Sequence, residues 1–315
     1  MKILITGATG LVGTALAALC RSRNIDVNYL TTNKNKIISI KGQQGFYWNP
    51  EEGQINGDCF NGVSAIVNLA GASISKRWSR ANKKVILNSR INSLRTLYKG
   101  LESTDRSTIT TFVSASAIGR YPDSLINYFT EKEMEVDNSF LGEVVEAWEN
   151  EIGRFQALNI NVAQIRVGLV LSKFGGALPQ MAKPIRNYIG APIGSGMQWQ
   201  SWIHIDDLAR MFLFVIEHNL EGTFNGVAPN PVTNAKLVKE IATVLEKPLI
   251  FPNVPKFLLK IVLGEMSYLL FASQRVSSKK IEKAGFDFDY QNINGALQHI
   301  YGKEEKQENI DPLIN

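Results

Sequence analysis

The chain has 315 residues, of which 44% are hydrophobic and 20% charged, a composition that is typical of a globular protein and excludes a wholly disordered or fibrous one. Its 34 Lys and Arg against 29 Asp and Glu give a net charge of +5. This mild excess suits anionic small molecules, but without a clustered patch it does not indicate nucleic acid, and none is expected as a partner. The length predicts about two domains.

Cysteine and histidine are too few and too scattered to predict a disulfide framework or a metal site. Cys20 and Cys59 form no CxxC pair, and the three histidines stand far apart in the sequence. Structural zinc sites normally use closely spaced pairs of such ligands. We therefore expect no metal.

Two apolar stretches resemble membrane segments. The first, at residues 2–20, is interrupted by glycines and threonines, so a strand followed by a helix explains it better than a signal sequence. The second, at residues 257–272, contains Lys260 and Glu265 and is too short for a membrane span. We interpret it as one or two buried helices, with a subunit contact in a homodimer as the alternative. We expect a cytoplasmic protein without membrane contact.

Strands and helices alternate along the first half of the chain. Apolar runs predict strands at 2–6, 27–32, 64–70, 110–116 and 161–171, and a short strand at best at 45–50. Helical patterns follow at residues 11–23, 80–101 and 140–157. Such alternation predicts βαβ units and an α/β fold of the Rossmann type, with a doubly wound parallel sheet. The second half is rich in Gly and Pro loops and becomes helical and Pro-broken from Pro248.

A glycine-rich loop lies between the first strand and the first helix. It reads TGATGLVG at residues 6–13, with GxxGxxG spacing. Gly7 permits a tight turn, Gly10 lets the backbone approach a pyrophosphate, and Gly13 allows close packing of helix on strand. A turn without ligand is the alternative, but the flanking strand and helix favour a dinucleotide site.

The end of the second strand indicates which dinucleotide binds. NAD sites usually carry Asp or Glu there, which binds the ribose hydroxyls. Here the sequence is Thr-Thr-Asn-Lys-Asn-Lys at residues 31–36, without an acid. Thr32, Lys34 and Lys36 suit a 2′-phosphate, which predicts NADP(H); the alternative is that both lysines are merely solvated loop charges.

Further motifs extend the pattern along nearly the whole chain. They are NLAG at 68–71, KRW at 76–78, SASAIGRY at 114–121, AWE at 147–149, IRVGLVL at 165–171, SWIHIDD at 201–207, APNPVTN at 228–234 and KKIEKAGFDFDY at 279–290. The chain resembles the extended short-chain dehydrogenase/reductases. Within them it is most similar to an atypical branch called epimerase-like or "cell division inhibitor" (SulA-type), which carries a C-terminal domain of unknown function.

The resemblance implies a domain division and a set of cofactor contacts. Residues 1–170 would form the NAD(P)-binding domain, which also takes back segments near 200–230, and residues 171–315 a smaller substrate lobe that is mostly helical from about 248. The residues expected to bind the cofactor are Gly7, Thr9, Gly10, Leu11, Val12, Gly13, Thr32, Lys34, Leu69, Ala70, Gly71 and Ser114.

The usual acid/base pair of this superfamily is missing. Its members use a Tyr-xxx-Lys pair on one helical face, in which the lysine lowers the pKa of the tyrosine. Here Phe140 stands in place of the tyrosine and Val144 in place of the lysine. Ordinary alcohol oxidation therefore cannot be carried over from the resemblance.

The remaining polar residues supply candidates for chemistry. Ser116 matches the superfamily's catalytic serine, with a backbone-satisfied hydroxyl as the alternative, and Tyr121 is the best remaining proton donor by type, with a packing aromatic as the alternative. A phenol has a pKa near 10, so Arg90 or Lys83 would have to lower it. Candidate substrate contacts, each with a structural alternative, are Arg77, Trp78, Lys83, Arg90 and His204.

Two functions follow from these features. The first is an NADP(H)-dependent, epimerase-like oxidoreductase that acts on a small molecule at the carboxyl ends of the strands. The second is a regulatory protein that senses NADPH without turnover. The missing pair favours the second, whereas Ser116 and the complete cofactor loop favour the first.

Overall fold

A computed structural model describes residues 1–302 of the chain. The helices are α1 (Leu11–Ser22), α2 (Arg80–Glu102), α3 (Phe140–Gly153), α4 (Ala177–Arg186), α5 (Ile205–Glu217), α6 (Asn234–Val244), α7 (Lys256–Leu263), α8 (Tyr268–Phe271), α9 (Lys279–Lys283) and α10 (Ile293–Tyr301). The strands are β1 (Lys2–Thr6), β2 (Asp26–Thr31), β3 (Ser39–Ile40), β4 (Gln43–Asn49), β5 (Gln54–Ile55), β6 (Ala65–Asn68), β7 (Thr111–Ala117), β8 (Tyr128–Phe129), β9 (Asn161–Val167), β10 (Leu169–Leu171), β11 (Trp199–Gln200), β12 (Trp202–His204), β13 (Gly222–Gly226), β14 (Val232–Thr233) and β15 (Arg275–Val276).

The described chain divides into two compact units. The first comprises residues 1–122, 131–167 and 208–226, and the second comprises residues 123–130, 168–207 and 227 onward. The return of the segment that ends in β13 to the first unit follows from its pairing with β9. Residues 123–130 differ from the expected division, because β8 pairs with β15 and so groups with the second unit.

The first unit is built on a mostly parallel sheet with the order β13-β9-β7-β6-β1-β2-β4-β3, and β5 pairs with β4. The chain runs from β1 through α1 to β2 on one side, and β6 then returns to the other side of β1. The strand order therefore reverses between β1 and β6. Ligands of open α/β sheets bind beyond the carboxyl ends of the strands at such a reversal. A reversal of this kind is part of the doubly wound fold that the sequence predicts.

Apolar periodicity explains how the helices pack in this unit. In α1 the buried residues are Gly13, Leu16, Ala17 and Cys20, at the i, i+3, i+4, i+7 spacing of one helical face.

Both cysteines are buried free thiols, and burial raises their pKa values, to about 11 for Cys20 and about 12 for Cys59. Buried thiols with raised pKa values are expected to be unreactive.

Three predicted elements differ from those observed. The stretch predicted as a short strand at best forms β4, with seven residues, because it adds to the sheet beside β2. The strand predicted at residues 161–171 is divided at Gly168, since β10 leaves the main sheet to pair with β12. The helix predicted at 140–157 ends at Gly153 and continues as a 3₁₀ helix to Leu158.

The second unit has its own core. Trp202 and the buried faces of α4, α6 and α10 form one cluster, and the unit also contains the short strand pairs β10–β12, β11–β14 and β8–β15. The prediction of a buried helix at residues 257–272 is wrong for α7, most of which is exposed, whereas all four residues of α8 are half-buried. Within residues 1–302, no helix combines the length and apolar composition needed to cross a bilayer.

Candidate functional site

The glycine loop lies at the point where the strand order reverses. Gly7 has a φ of +66°, and a Cβ on it would lie 2.6 Å from the carbonyl oxygen of Leu69. A Cβ on Gly13 would lie 2.2 Å from the carbonyl oxygen of Gly7. Both positions therefore require glycine, because a Cβ at either one would overlap a backbone carbonyl oxygen. Gly10 caps α1 without any side-chain hydrogen bond, and Thr9 and Gly10 are exposed.

A buried polar chain holds the second turn of this site, residues 69–71, against the first. Thr6 Oγ1 accepts hydrogen bonds from the backbone N–H groups of Leu69 and Ala70, each at 3.1 Å. It donates to Asn68 Oδ1 at 2.7 Å, and Asn68 Nδ2 donates to Ser114 Oγ at 3.0 Å. The predicted cofactor residues in 7–13 and 69–71 thus come together at the ends of β1 and β6, beside Ser114 in the middle of β7.

Arg90 supports the same turn from α2. Its Nη1 donates to the carbonyl of Ala72 at 3.2 Å and to that of Ile86 at 2.8 Å, and its guanidinium lies 5.0 Å from the ring centroid of Trp148. Burial lowers the pKa of Arg90 to about 10, so it stays charged at neutral pH. These contacts favour a role for Arg90 in positioning the turn, rather than the substrate contact that was expected from the sequence.

The end of β2 exposes a polar segment beside an aromatic ring. Thr31 is buried, and its Oγ1 accepts from the backbone N–H of Asn33 at 3.2 Å. Thr32 and Lys34 are exposed, and Lys34 Nζ lies 4.9 Å from the ring centroid of Tyr47 on β4. Sequence analysis missed Tyr47, because the strand that carries it was predicted to be short.

Positions 140 and 144, where the resemblance expects the Tyr-xxx-Lys pair, lie in the first turns of α3 and carry no group that can transfer a proton. Ser139 Oγ accepts from the backbone N–H of Gly142 and also hydrogen-bonds the carboxylate of Asp137, which fixes the first turn. Val144 is buried and Phe140 half-buried. A shift of one position would bring Leu141 and Val145 into the two places, which are equally unable to move a proton.

Phe140 is surrounded by two of the predicted substrate residues. The Trp78 ring meets it edge-on at 5.1 Å, and Lys83 Nζ lies 5.1 Å from its centroid. Trp78 is buried and donates to the carbonyl of Ile74 at 3.0 Å, whereas Arg77 is exposed. An open cleft of about 920 Å³ runs past this cluster and is lined by Lys83, Lys84, Leu87, Val136, Asp137, Asn138, Ser139, Phe140, Glu143 and Glu146.

Ser116 and Tyr121 belong to one buried network. Ser116 Oγ donates to Glu149 Oε1 at 2.6 Å, and Glu149 accepts two hydrogen bonds of 2.8 Å from Arg166. Tyr121 OH accepts from Arg166 Nη1 at 3.0 Å and donates to Asn225 Oδ1 at 2.7 Å. Glu149 and Arg166 stand in the AWE and IRVGLVL motifs, but nothing in the sequence indicates that they form a pair.

The network does not lower the pKa of Tyr121 as expected from the sequence. The phenol is fully buried, and burial raises its pKa although the charge of Arg166 acts in the opposite direction. Burial by itself would lower the pKa of Arg166. The hydrogen bonds and charge of Glu149 outweigh burial and raise the pKa of Arg166. These contacts favour a structural role for Tyr121; its role as proton donor stays a prediction.

His204 lies in the second unit, at the start of α5. Its Nδ1 accepts the backbone N–H of Asp206 at 3.1 Å, its Nε2 lies 3.2 Å from His299 Nδ1, and its ring stacks on Tyr290 at 3.9 Å. Burial, followed by the charge of His299, lowers the pKa of His204 to about 4, so the ring is neutral at physiological pH. The carboxylate of Asp207, in the first turn of α5, accepts hydrogen bonds from the backbone N–H groups of residues 289 and 290.

The same histidine belongs to a group of metal-ligand type. His204, Asp206 and His299 offer ligand atoms within 4.8 Å of one another in the part of the chain that the structure describes. Both ring nitrogens of His204 are already engaged in the contacts given above. The expectation of no metal stays a prediction.

Comparison with known proteins agrees with the geometry. A sequence profile for the NAD dependent epimerase/dehydratase family matches residues 3–225, and a domain of unknown function, DUF1731, matches residues 254–300. Epimerase family protein SERP0438 of Staphylococcus epidermidis is 37% identical over 305 residues, which cover 95% of this chain and 98% of that protein. The chloroplastic SDR39U1 homolog of Arabidopsis thaliana is 36% identical over 307 residues, or 95% and 86% of the two chains.

A solved structure extends the similarity to the fold. Human epimerase family protein SDR39U1 (isoform 2), crystallised with NADPH, has a TM-score of 0.84 at 28% identity and covers 96% of this chain and 100% of its own. None of the relatives named here carries the cell-division-inhibitor label, so that part of the resemblance has no support from them. By its sequence profile and by relatives that match it over almost their whole length, the chain belongs to the NAD dependent epimerase/dehydratase family.

Proposed function

We propose that the protein is an NADP(H)-binding, epimerase-like oxidoreductase that acts on a small molecule without a Tyr-xxx-Lys pair. The observation that carries this proposal is the cradle made by Gly7, Gly10 and Gly13. A Cβ on Gly7 or on Gly13 would overlap a backbone carbonyl oxygen, while the start of α1 stays exposed and uncapped by a side chain. A helix N-terminus with free backbone donors favours a pyrophosphate.

The segment after β2 supports NADP(H) rather than NAD(H). No acid follows β2, and Lys34 lies over the Tyr47 ring at the edge of the sheet where the adenosine half of a dinucleotide is bound in this fold. The similar human SDR39U1 was solved with NADPH. When bound, the nicotinamide would supply or accept a hydride.

The residues assigned to hold the cofactor divide between side chains and backbone. Thr32 and Lys34 would meet the 2′-phosphate, and residues 9–13 and 69–71 the pyrophosphate and ribose. Ser114 is buried and bonded to Asn68, so its side chain acts by holding the turn. Arg90 acts on the same turn through Ala72.

The substrate side of the proposal rests on the cleft beside Phe140. Lys83 and Lys84 line it together with apolar Leu87 and Phe140. A small molecule with a carboxylate or phosphate and an apolar body would match these groups. Positions 140, 141, 144 and 145 of α3 offer no proton donor, so a different group must supply the proton, and Tyr121 stays the candidate named from the sequence. Ser116, beside Glu149, is proposed to bind the substrate oxygen.

Cofactor oxidation measures the proposed activity directly. Purified protein is incubated with NADPH and a panel of carbonyl compounds, some of which carry a carboxylate group and some of which lack one. The absorbance of the nicotinamide is followed. Substrate-dependent oxidation supports the proposal, with Ser116→Ala expected to slow it. Tight NADPH binding with no oxidation of any panel member would instead favour the NADPH-sensing protein, which the absence of the Tyr-xxx-Lys pair supports independently.

A further inference from the structure

Tyr29 on β2 holds a loop that has no buried residue of its own. The tyrosine is buried, whereas every residue from 32 to 40 is exposed. The Tyr29 hydroxyl donates a hydrogen bond to the carbonyl of Lys36 at 2.7 Å and accepts one from the backbone N–H of Ile38 at 2.8 Å. An exposed loop gains no stability from burial of its own side chains, so these two bonds tie it to the interior of the sheet.

Gly45 on β4 leaves the space that the Tyr29 side chain occupies. The two residues are direct partners in the parallel register of β2 and β4. A Cβ on Gly45 would lie 2.5 Å from both the Cζ and the hydroxyl oxygen of Tyr29. The backbone N–H of Gly45 also donates to the carbonyl of Ile38 at 2.9 Å. Any larger residue at position 45 would therefore displace the phenol from the loop.

The segment between these contacts forms a closed turn. Asn33 donates its backbone N–H to Thr31 Oγ1 at 3.2 Å, and its Oδ1 accepts from the backbone N–H of Asn35 at 2.9 Å. The backbone N–H of Lys36 donates to the carbonyl of Asn33 at 3.0 Å. We call residues 33–37 the 33–37 turn. It is bonded to the sheet by Thr31 at its start and by Tyr29 at its end.

A second tyrosine lies beside the lysine that this turn carries. Tyr47 pairs with Thr31, two residues beyond Tyr29, so both tyrosines lie on one face of the sheet. The ammonium of Lys34 lies 4.9 Å from the Tyr47 ring centroid, which is a cation–π contact. The backbone of the turn is thus fixed by one tyrosine, and the charge at its surface lies against the other.

A turn that is ordered before the cofactor arrives binds the cofactor more tightly, because ordering a loop during binding lowers the affinity. We propose that Tyr29 is a positioning residue for the 2′-phosphate of NADP(H). Its hydroxyl fixes the 33–37 turn, and Lys34 with it, and Gly45 makes room for this arrangement. The inference rests on the proposed NADP(H) binding and names a residue on which the preference over NAD(H) depends.

Calorimetric titration of the full-length protein with NADPH and with NADH tests the proposal. Tyr29→Phe keeps the ring and removes both hydrogen bonds to the loop. We expect the NADPH affinity to fall by about threefold to tenfold, which corresponds to ordering one freed side chain on binding. The NADH affinity should stay nearly unchanged, because NADH has no 2′-phosphate. A merely structural role of Tyr29 would lower both affinities together.

Two further variants separate this effect from the general loss of a phenol. Tyr98 on α2 is half-buried in the same unit, and its ring contacts Phe155 and Arg154. Tyr98→Phe should change neither affinity. Gly45→Ala displaces the phenol and should lower the NADPH affinity at least as much as Tyr29→Phe. Equal losses of NADPH and NADH affinity in Tyr29→Phe would overturn the proposal.

Hydrogen exchange gives a second measurement that needs no cofactor. The Ile38 N–H is bonded to the Tyr29 hydroxyl, so a peptide that covers residues 33–38 should exchange faster in Tyr29→Phe than in the wild type or in Tyr98→Phe. Unchanged exchange would overturn the proposal. Wild-type protein without a preference for NADPH would overturn the cofactor assignment together with this inference. A preference that survives Tyr29→Phe undiminished would overturn this inference alone.

Discussion

The carboxylate of Glu149 on α3 and the guanidinium of Arg166 on β9 form a two-pronged ion pair with two hydrogen bonds of 2.8 Å. Both side chains are about nine-tenths buried or more. The pair joins the helix to the sheet directly behind the end of β7, where Ser116 adds a third hydrogen bond to the carboxylate.

Breaking this pair should destabilise the protein strongly. Glu149→Ala leaves the guanidinium of Arg166 buried without its carboxylate, which is expected to lower the free energy of unfolding by about 3–5 kcal/mol. Urea denaturation measures the change. Glu151→Ala is the matched control, because its partners Arg95 and Arg154 are 55% exposed and such pairs contribute about 0–1 kcal/mol. Equal losses in the two variants would contradict this assignment.

A methyl group in the glycine cradle should abolish cofactor binding. In Gly13→Ala the new Cβ meets the Gly7 carbonyl at 2.2 Å, so α1 must move away from the turn that holds the pyrophosphate. We expect NADPH affinity, measured by calorimetry, to fall at least about 100-fold. Gly153→Ala is the control, since no atom lies within 4 Å of its added Cβ. Unchanged NADPH binding in Gly13→Ala would remove the loop from the site.

Lys34 should decide between the two dinucleotides. A charge-assisted contact to the 2′-phosphate is worth about 1.5–3 kcal/mol, so Lys34→Ala should weaken NADPH binding by roughly tenfold to a hundredfold and leave NADH binding nearly unchanged. Lys41→Ala, which removes another exposed lysine from the same region, should change neither affinity. Equal affinity of the wild-type protein for NADH and NADPH would refute the NADP(H) preference.

Tyr121→Phe should affect stability more than turnover. The change removes the donor to Asn225 and the acceptor for Arg166 in the interior, which is expected to cost about 1–3 kcal/mol of unfolding free energy. NADPH affinity should be retained. If instead substrate-dependent oxidation falls by at least about 100-fold while stability is kept, Tyr121 is the proton donor that the sequence suggested.

Acidification should lower the free energy of unfolding through His204. Its pKa is about 4 in the folded chain, below its unfolded value near 6.5, so the unfolded state takes up a proton first as pH falls. Stability is therefore fully present above about pH 6.5 and declines toward pH 4, by up to about 3 kcal/mol. His204→Asn, which keeps an acceptor for the Asp206 N–H, should flatten this decline in urea denaturation followed at several pH values. Replacement of the exposed His218 should leave it unchanged.

The strand and helix pattern of the first half is determined by local periodicity. Short apolar runs and amphipathic spacing, such as the buried series from Gly13 to Cys20, depend on residues that are close in the chain. For this reason the glycine loop, α1, β1 and β6 lie where the sequence predicts them. The division of residues 161–171 at Gly168 could not be predicted, because the partner of β10 is β12, some 30 residues away.

The composition of the cofactor loop and the presence of Phe140 and Val144 at the positions expected for the Tyr-xxx-Lys pair are properties of the sequence by itself, since each depends on residue type at fixed spacing. The tertiary structure decided which groups meet. In the tertiary structure Glu149 pairs with Arg166, and Arg90 lies behind the turn at Ala72. Tyr121 is buried, and its pKa is raised. It also left the apolar face of α7 outside, where hydropathy alone predicted burial. Pairing, burial and exposure arise from contacts between distant parts of the chain, and local pattern carries no information on which of these contacts form.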